Sequence, residues 1–189
     1  MIAEKGAAMV LEDHGHRHRE PSVEITGAEW SETDVGELTI EPGDPAEPAV
    51  ARLLRMAEEY SQSLYPPESI HMLPVDELSS PSVRFVVARS GLNVHGCGAT
   101  VLQPDACAEL KRMFVDPAAR RRGIAARILT ALEDIARAEG VRLVHLETGT
   151  GQPEAIGLYH RFGYRDRGPF GDYVDDPLSV YMDKSLDVT

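Results

Sequence analysis

The residues with the clearest chemical potential form one run, Val115-Asp116-Pro117-Ala118-Ala119-Arg120-Arg121-Arg122-Gly123-Ile124-Ala125. It joins an apolar, alternating stretch to an amphipathic one, so it lies between a strand and the start of a helix. A helix start leaves its first backbone N–H groups unpaired, and the macrodipole places partial positive charge there. Anions bind such ends. Gly123 and the small Ala125 let a phosphate approach the backbone closely, and Arg120, Arg121 and Arg122 add positive charge. Three arginines alone describe a solvated charge run. Followed by Gly-x-Ala and an amphipathic helix, after a turn that closes an apolar strand, they describe a phosphate-binding turn. It is not a P-loop, because no Gly-Lys-Ser/Thr follows and the preceding strand belongs to a meander.

Other chemistries find less support. His14, His16 and His18 are spaced to share a metal ion, but they sit in a polar segment without periodicity that reads as a solvated tail. With two cysteines, Cys97 and Cys107, neither a disulfide framework nor a four-cysteine zinc site fits, and no metal is expected. The net charge of −12 and the lack of a basic patch interleaved with aromatics argue against nucleic acid. Residues 1–44 contribute −8 of that charge, so the rest of the chain carries only −4. The acidity therefore does not oppose an anionic ligand at the arginine turn. No run of about 18 apolar residues exists, and the acidic start lacks the basic flank and apolar stretch of a signal peptide. The expectation is a cytoplasmic protein without membrane contact.

The elements that must position the turn follow from periodicity. Residues 1–31 read as a mobile acidic tail and 32–189 as a single domain. A first strand fits Leu38–Ile40, closed by Glu41-Pro42-Gly43-Asp44. Pro45 to Leu64 reads as a helix, with Val50, Leu53, Leu54, Ala57 and Leu64 on one stripe, stopped by Tyr65-Pro66-Pro67. One helical turn fits Val75–Leu78. Val83–Ala88, Val94–Leu102 and Ala108–Val115 form an antiparallel meander of three strands. Residues 123–139 are the clearest helix, capped by Gly140. A strand at Val141–Leu146, a helix at Pro153–Phe162, and strands at Tyr164–Arg167 and Ser179–Asp183 complete an α/β mixture around a largely antiparallel sheet. The last strand offers an edge for pairing in a homodimer.

With these elements in place, R-R-R-G-I-A resembles the Arg/Gln-x-x-Gly-x-Gly/Ala signature of the GNAT N-acetyltransferases. The resemblance extends over residues 33–185 in element order. It is closest from A-E-L-K-R-M-F-V-D-P through L-E-T-G and A-I-G-L-Y-H-R-F-G-Y. P-P-E-S-I-H and F-G-D-Y-x-x-D-P-x-S-V-Y-M resemble a bacterial branch of small-molecule acetyltransferases. Ala125 stands where glycine is commoner in the family.

The resemblance implies a sheet flanked by helices, with a splayed parallel strand pair, residues 108–115 and 141–147, binding acetyl-CoA as co-substrate. The backbone of Met113, Phe114 and Val115 would pair with pantetheine amides. The amides from Arg120 through Ala125, Gly123 and Ile124 included, would hold the pyrophosphate. The implied reaction is direct acetyl transfer to a primary amine of a small molecule or peptide, in a ternary complex. Other readings are a CoA-binding regulatory module without turnover and an acyltransferase using a longer acyl-CoA.

An amine of pKa near 10.4 is neutral in only about one molecule in 10³–10⁴ at pH 7, so a base is useful. The resemblance implies that Glu109 acts as that base through water; its alternative is a strand-face salt bridge with Lys111 or Arg84. Glu147 is the competing carboxylate. Tyr159 falls where the family often has a tyrosine near the CoA sulfur. Donating a proton to the thiolate is uphill by about 1.5 pKa units from an ordinary tyrosine, which favours a hydrogen bond to the thiolate or a lowered tyrosine pKa. The acceptor side takes in the loop Pro66–Met72, with Glu68 and His71, and Tyr173. His71 is also a candidate second base.

Overall fold

The computed structural model describes residues 37–187; the expected tail, with its three histidines, lies outside the described residues. The chain order is β1 (Thr39–Pro42), α1 (Pro48–Leu64), β2 (Val83–Ser90), β3 (Asn93–Gln103), β4 (Cys107–Val115), α2 (Ile124–Ala138), β5 (Leu143–Gly149), α3 (Pro153–Arg161), β6 (Arg165–Arg167) and β7 (Ser179–Ser185). The sheet order is β1-β2-β3-β4-β5-β7-β6. β4 and β5 are parallel, and the other neighbours are antiparallel. This is the expected mixed, largely antiparallel sheet. β7 lies between β5 and β6 rather than at a free edge, so the edge expected for strand pairing in a homodimer belongs to β6. Among the described residues no helix is long and apolar enough to cross a membrane.

Boundaries shift where backbone groups find local partners. α1 begins at Pro48, not Pro45, because Asp44 first closes its own turn: its Oδ1 accepts from Ala46 N at 2.9 Å and its carbonyl from Glu47 N at 3.1 Å. Pro48 then takes the first helical position, where a missing N–H costs nothing. β5 begins two residues late because Val141 N bonds back to Ala136 O at 2.9 Å, finishing the end of α2 at Gly140.

Alternation divides the core into two layers. Phe85, Val87, Cys97 and Ala99 pack with Val50, Leu53 and Leu54 of α1 on one face. Val86, Ala88, Leu110, Val144 and Leu146 pack with the apolar stripe of α2 and with Leu158 of α3 on the other.

Two irregularities in β4 shape the site. Pairing with β5 runs from Cys107↔Leu143 to Leu110↔Leu146 and stops, although both strands continue. The β5-facing edge of β4 past Leu110 is therefore left without a strand partner. Arg112 has a φ of 55°, beside a register shift against Cys97/Ala99 of β3, so β4 carries a bulge. A bulge inserts one residue and reverses which face the following side chains take. Accordingly Leu110, Met113 and Val115 pack on the α2 layer while Phe114 packs on the α1 layer. The Arg112 side chain anchors the bulge, donating to Leu73 O at 2.6 Å and to Glu58 Oε1 at 2.9 Å.

Candidate active site

The turn after β4 is built to leave donors free. Asp116 accepts from Ala118 N at 2.9 Å, and its carbonyl accepts from Ala119 N at 2.8 Å. Arg121 (φ 64°) and Gly123 (φ 75°) are left-handed, and the first helical bond of α2 is Arg127 N to Gly123 O at 3.1 Å. Among the described residues, the backbone N–H groups of Arg121 through Ala126 donate to no protein acceptor. Six successive free N–H groups at a helix start, in alternating handed conformations, make an anion-binding concavity. Nothing lies within 4 Å of a Cβ added to Gly123, so its glycine is required by conformation rather than by space. The side chains of Arg120, Arg121 and Arg122 are exposed around this concavity. Arg120 also lies over the Tyr60 ring at 5.0 Å.

The turn opens into a cavity of about 890 Å³ that follows the gap between β4 and β5. Of the residues singled out in the sequence, it is lined by Met113, Phe114, Val115, Arg120, Arg121, Gly123, Ile124 and Ala125 and by His71, Glu147 and Tyr159. Arg122, Glu68, Glu109 and Tyr173 are not in its lining.

The bulge is the reason Glu109 stands apart. In an unbroken strand Glu109 and Val115, six residues apart, share a face; with one residue inserted at Arg112 they take opposite faces. Glu109 is 7% exposed. Its Oε1 accepts from Tyr173 Oη at 2.7 Å and pairs with Lys111 Nζ at 2.9 Å, while Oε2 accepts from Gln103 Nε2 at 3.3 Å. The alternative of a strand-face salt bridge with Lys111 is thus the contact observed; Arg84 instead pairs with Glu139 at 2.6 Å. Lys111 Nζ also donates to His71 O at 2.9 Å and contacts Tyr173 Oη. Glu68 is exposed on a short 3-10 turn.

Glu147 has a different setting. It lies on β5 past the last pair with β4, and Ser179 Oγ donates to its Oε1 at 2.7 Å. His71 Nδ1 lies 3.9 Å from the same oxygen and is buried without a hydrogen-bond partner. The His71 ring meets the Tyr173 ring edge-on at 5.2 Å. Tyr159, on α3, is 5% exposed. Burial pushes its phenol pKa well above the ordinary tyrosine value, and the charge of Glu147 raises it further. That direction runs against a lowered tyrosine pKa and favours the hydrogen bond to the thiolate.

Tyr65 and Ser179 stand in the sequence only as element boundaries and are not singled out there as site residues. Tyr65 Oη accepts from Gly151 N at 3.0 Å, and it fills the space a Cβ on Gly149 would take. The only sequence signal at Tyr65 is the end of a helix before two prolines, which says nothing of the β5 end opposite. Among the described residues no group of three or more His, Cys, Asp or Glu is arranged to hold a metal ion.

Comparison with known proteins agrees with this architecture. Residues 51–164 match the family described as "Acetyltransferase (GNAT) family". The chain is 45% identical over 150 residues, covering 79% of it and 98% of the relative, to an "IAA acetyltransferase" of Azospirillum brasilense. It is 36% identical over 151 residues, 79% of the chain and 95% of the relative, to the "Uncharacterized N-acetyltransferase YedL" of Escherichia coli. Among solved structures, a candidate acyl-CoA N-acyltransferase from Klebsiella pneumoniae superposes with a TM-score of 0.67 at 34% identity, over 80% of this chain and 99% of that one.

Proposed function

Because the chain belongs to the GNAT family of acetyltransferases, we propose that it moves an acetyl group from acetyl-CoA directly to a primary amine of a small molecule or peptide, with both substrates in the one cavity. The observation that carries this reading is the run of free N–H groups from Arg121 to Ala126 beside a cavity that Tyr159 also lines. In this reading the pyrophosphate takes those donors, and the exposed arginines contribute Coulomb attraction rather than fixed contacts. The unpaired edge of β4 at Met113–Val115 offers backbone groups to the pantetheine amides. In this reading the thioester lies near Tyr159.

The chemistry divides among the residues as follows. The acceptor nitrogen loses a proton, at a cost of about 4–5 kcal/mol for an ordinary amine at pH 7. Its lone pair forms the N–C bond as the C–S bond breaks, the thiolate leaves, and the nitrogen releases its second proton to give the neutral amide. Tyr159 holds the thiolate by an O–H···S hydrogen bond. Full proton transfer from a tyrosine of raised pKa to a thiolate of pKa near 8.5 is strongly uphill. A β4 backbone N–H near Val115 meets the oxyanion, and holding both substrates together lowers the barrier further.

Calorimetry with acetyl-CoA, followed by thiol release with a panel of amines, tests the proposal. The expected result is saturable acetyl-CoA binding and thiol release matched by one acetyl added per amine. Absence of binding at millimolar acetyl-CoA overturns it.

A further inference from the structure

We infer that Glu147 and His71 form the acceptor subsite: Glu147 holds the incoming ammonium and His71 takes its proton, while Glu109 is a structural clamp. The inference rests on the transferase reading above and assigns the base within it. Both residues line the same cavity as Tyr159, and Glu109 does not. The two carboxylates also differ in spare capacity. Glu109 is met by Tyr173, Lys111 and Gln103. Glu147 has Ser179 on Oε1, and among the described residues no hydrogen bond to Oε2.

Nδ1 of His71 faces the bonded oxygen of Glu147 at 3.9 Å, buried and unpartnered. A catalytic hydrogen bond in a ligand-free site is often this loose and tightens when substrate is bound. The backbone of His71 is pinned to β4 by Lys111, which limits how far the ring can drift from Glu147. Other charged or titratable groups facing His71 are Lys111 on β4, and Tyr173 and Asp176 on the loop between β6 and β7.

The charge balance at this end selects the acceptor class. Lys111 is already paired with Glu109 and with the His71 carbonyl, whereas among the described residues Oε2 of Glu147 accepts no hydrogen bond. The subsite therefore suits a primary ammonium compound. In the step, one N–H proton of R–NH₃⁺ passes to the His71 imidazole, giving imidazolium stabilised by Glu147. The freed lone pair attacks the thioester carbonyl, the C–S bond breaks, the nitrogen passes its second proton to the departing thiolate as the neutral amide forms, and the imidazolium proton returns to solvent.

The test compares wild type with Glu147→Gln, Glu147→Asp, His71→Gln and Glu109→Gln, using acetyl-CoA and the best amine from the panel. The expected result for Glu147→Gln is a rise of tenfold or more in the amine KM, with the acetyl-CoA KM within about twofold, and partial recovery in Glu147→Asp. His71→Gln is expected to lower kcat at least tenfold and to remove the acid limb of kcat/KM against pH. Glu109→Gln is expected to lower the melting temperature and keep the acid limb. Folded His71→Gln and Glu147→Gln enzymes with wild-type kcat/KM overturn the inference, as does an acid limb that disappears in Glu109→Gln alone. If wild type neither binds acetyl-CoA nor releases thiol, the transferase reading itself fails; if wild type turns over normally and only the variant pattern is wrong, this inference alone fails.

Discussion

The phenol of Tyr173 donates to Glu109 Oε1 at 2.7 Å, so a residue of the loop between β6 and β7 satisfies a carboxylate buried on β4. The same carboxylate holds Lys111, and Lys111 holds the carbonyl of His71. Two loops on the α1 face are thereby tied to one strand position.

Tyr173→Phe removes a hydrogen bond to a buried charge. The expected cost is about 1.5–3 kcal/mol, read from urea denaturation. Burial and the bond to Glu109 also hold the Tyr173 phenol pKa far above the ordinary value near 10. In the unfolded chain the phenol ionises near pH 10, and in the folded chain it does not. Stability is therefore fully present below about pH 10 and lost as pH rises beyond it. The alkaline loss is expected to be shallower in Tyr173→Phe, with Tyr159 and Tyr164, also raised by burial, supplying the remainder.

Tyr159→Phe is expected to lower kcat about 10–100-fold, the range of one lost transition-state hydrogen bond, and to leave the acetyl-CoA dissociation constant within about twofold. Pre-steady-state thiol release and calorimetry separate the two quantities. Because the phenol pKa is raised, no basic limb from Tyr159 is expected in the pH profile up to pH 9. A basic limb that vanishes in the variant would show that the phenol titrates in turnover.

Gly149→Ala puts a methyl group where Tyr65 Oη now sits. Tyr65 ends a side chain and can turn away, so the expected cost is the lost bond to Gly151 N, about 1 kcal/mol, rather than overpacking of the core. Tyr65→Phe is expected to lose a similar amount, and the double variant little more than either. A double-mutant cycle in chemical denaturation measures that coupling.

His145 is 8% exposed; burial lowers its pKa first, and the Arg167 guanidinium, donating to Nδ1 at 3.0 Å, lowers it further. The unfolded histidine takes a proton near pH 6.5, and the folded one takes it only at lower pH. This contribution is present above about pH 6.5 and lost as pH falls through the folded pKa. His145→Phe keeps a ring against Phe170, now 4.7 Å away. It is expected to reduce the proton uptake on unfolding below about pH 6.5 and so to make the acid loss of stability shallower. Denaturation at several pH values measures it. His95, lowered by burial and then by Arg122, keeps part of the acid loss in the variant.

Much of this protein is legible locally. Apolar residues at helical or alternating spacing mark α1, α2 and the β2–β4 meander, because each element must bury one face whatever its partner. The phosphate-binding turn is legible for the same reason: free N–H groups, Gly123 and the arginines are all contained in one stretch of chain. Tyr159 and His71 are visible as residue types able to serve, within segments that resemble the family.

What only the tertiary structure decided is how distant segments meet. The bulge at Arg112 is held by Glu58 and Leu73, far away in the sequence, and nothing in A-E-L-K-R-M-F-V announces it. Yet it inverts the parity of β4 and carries Glu109 to the face opposite Val115. Tyr173 closes on Glu109 and Tyr65 on Gly151 across 64 and 86 residues. Patterning read along a chain reports which residues seek burial or a backbone partner. Which carboxylate remains with a free oxygen beside the cavity depends on how those partners are shared out when the sheet and its loops close, and that is a property of the assembled fold.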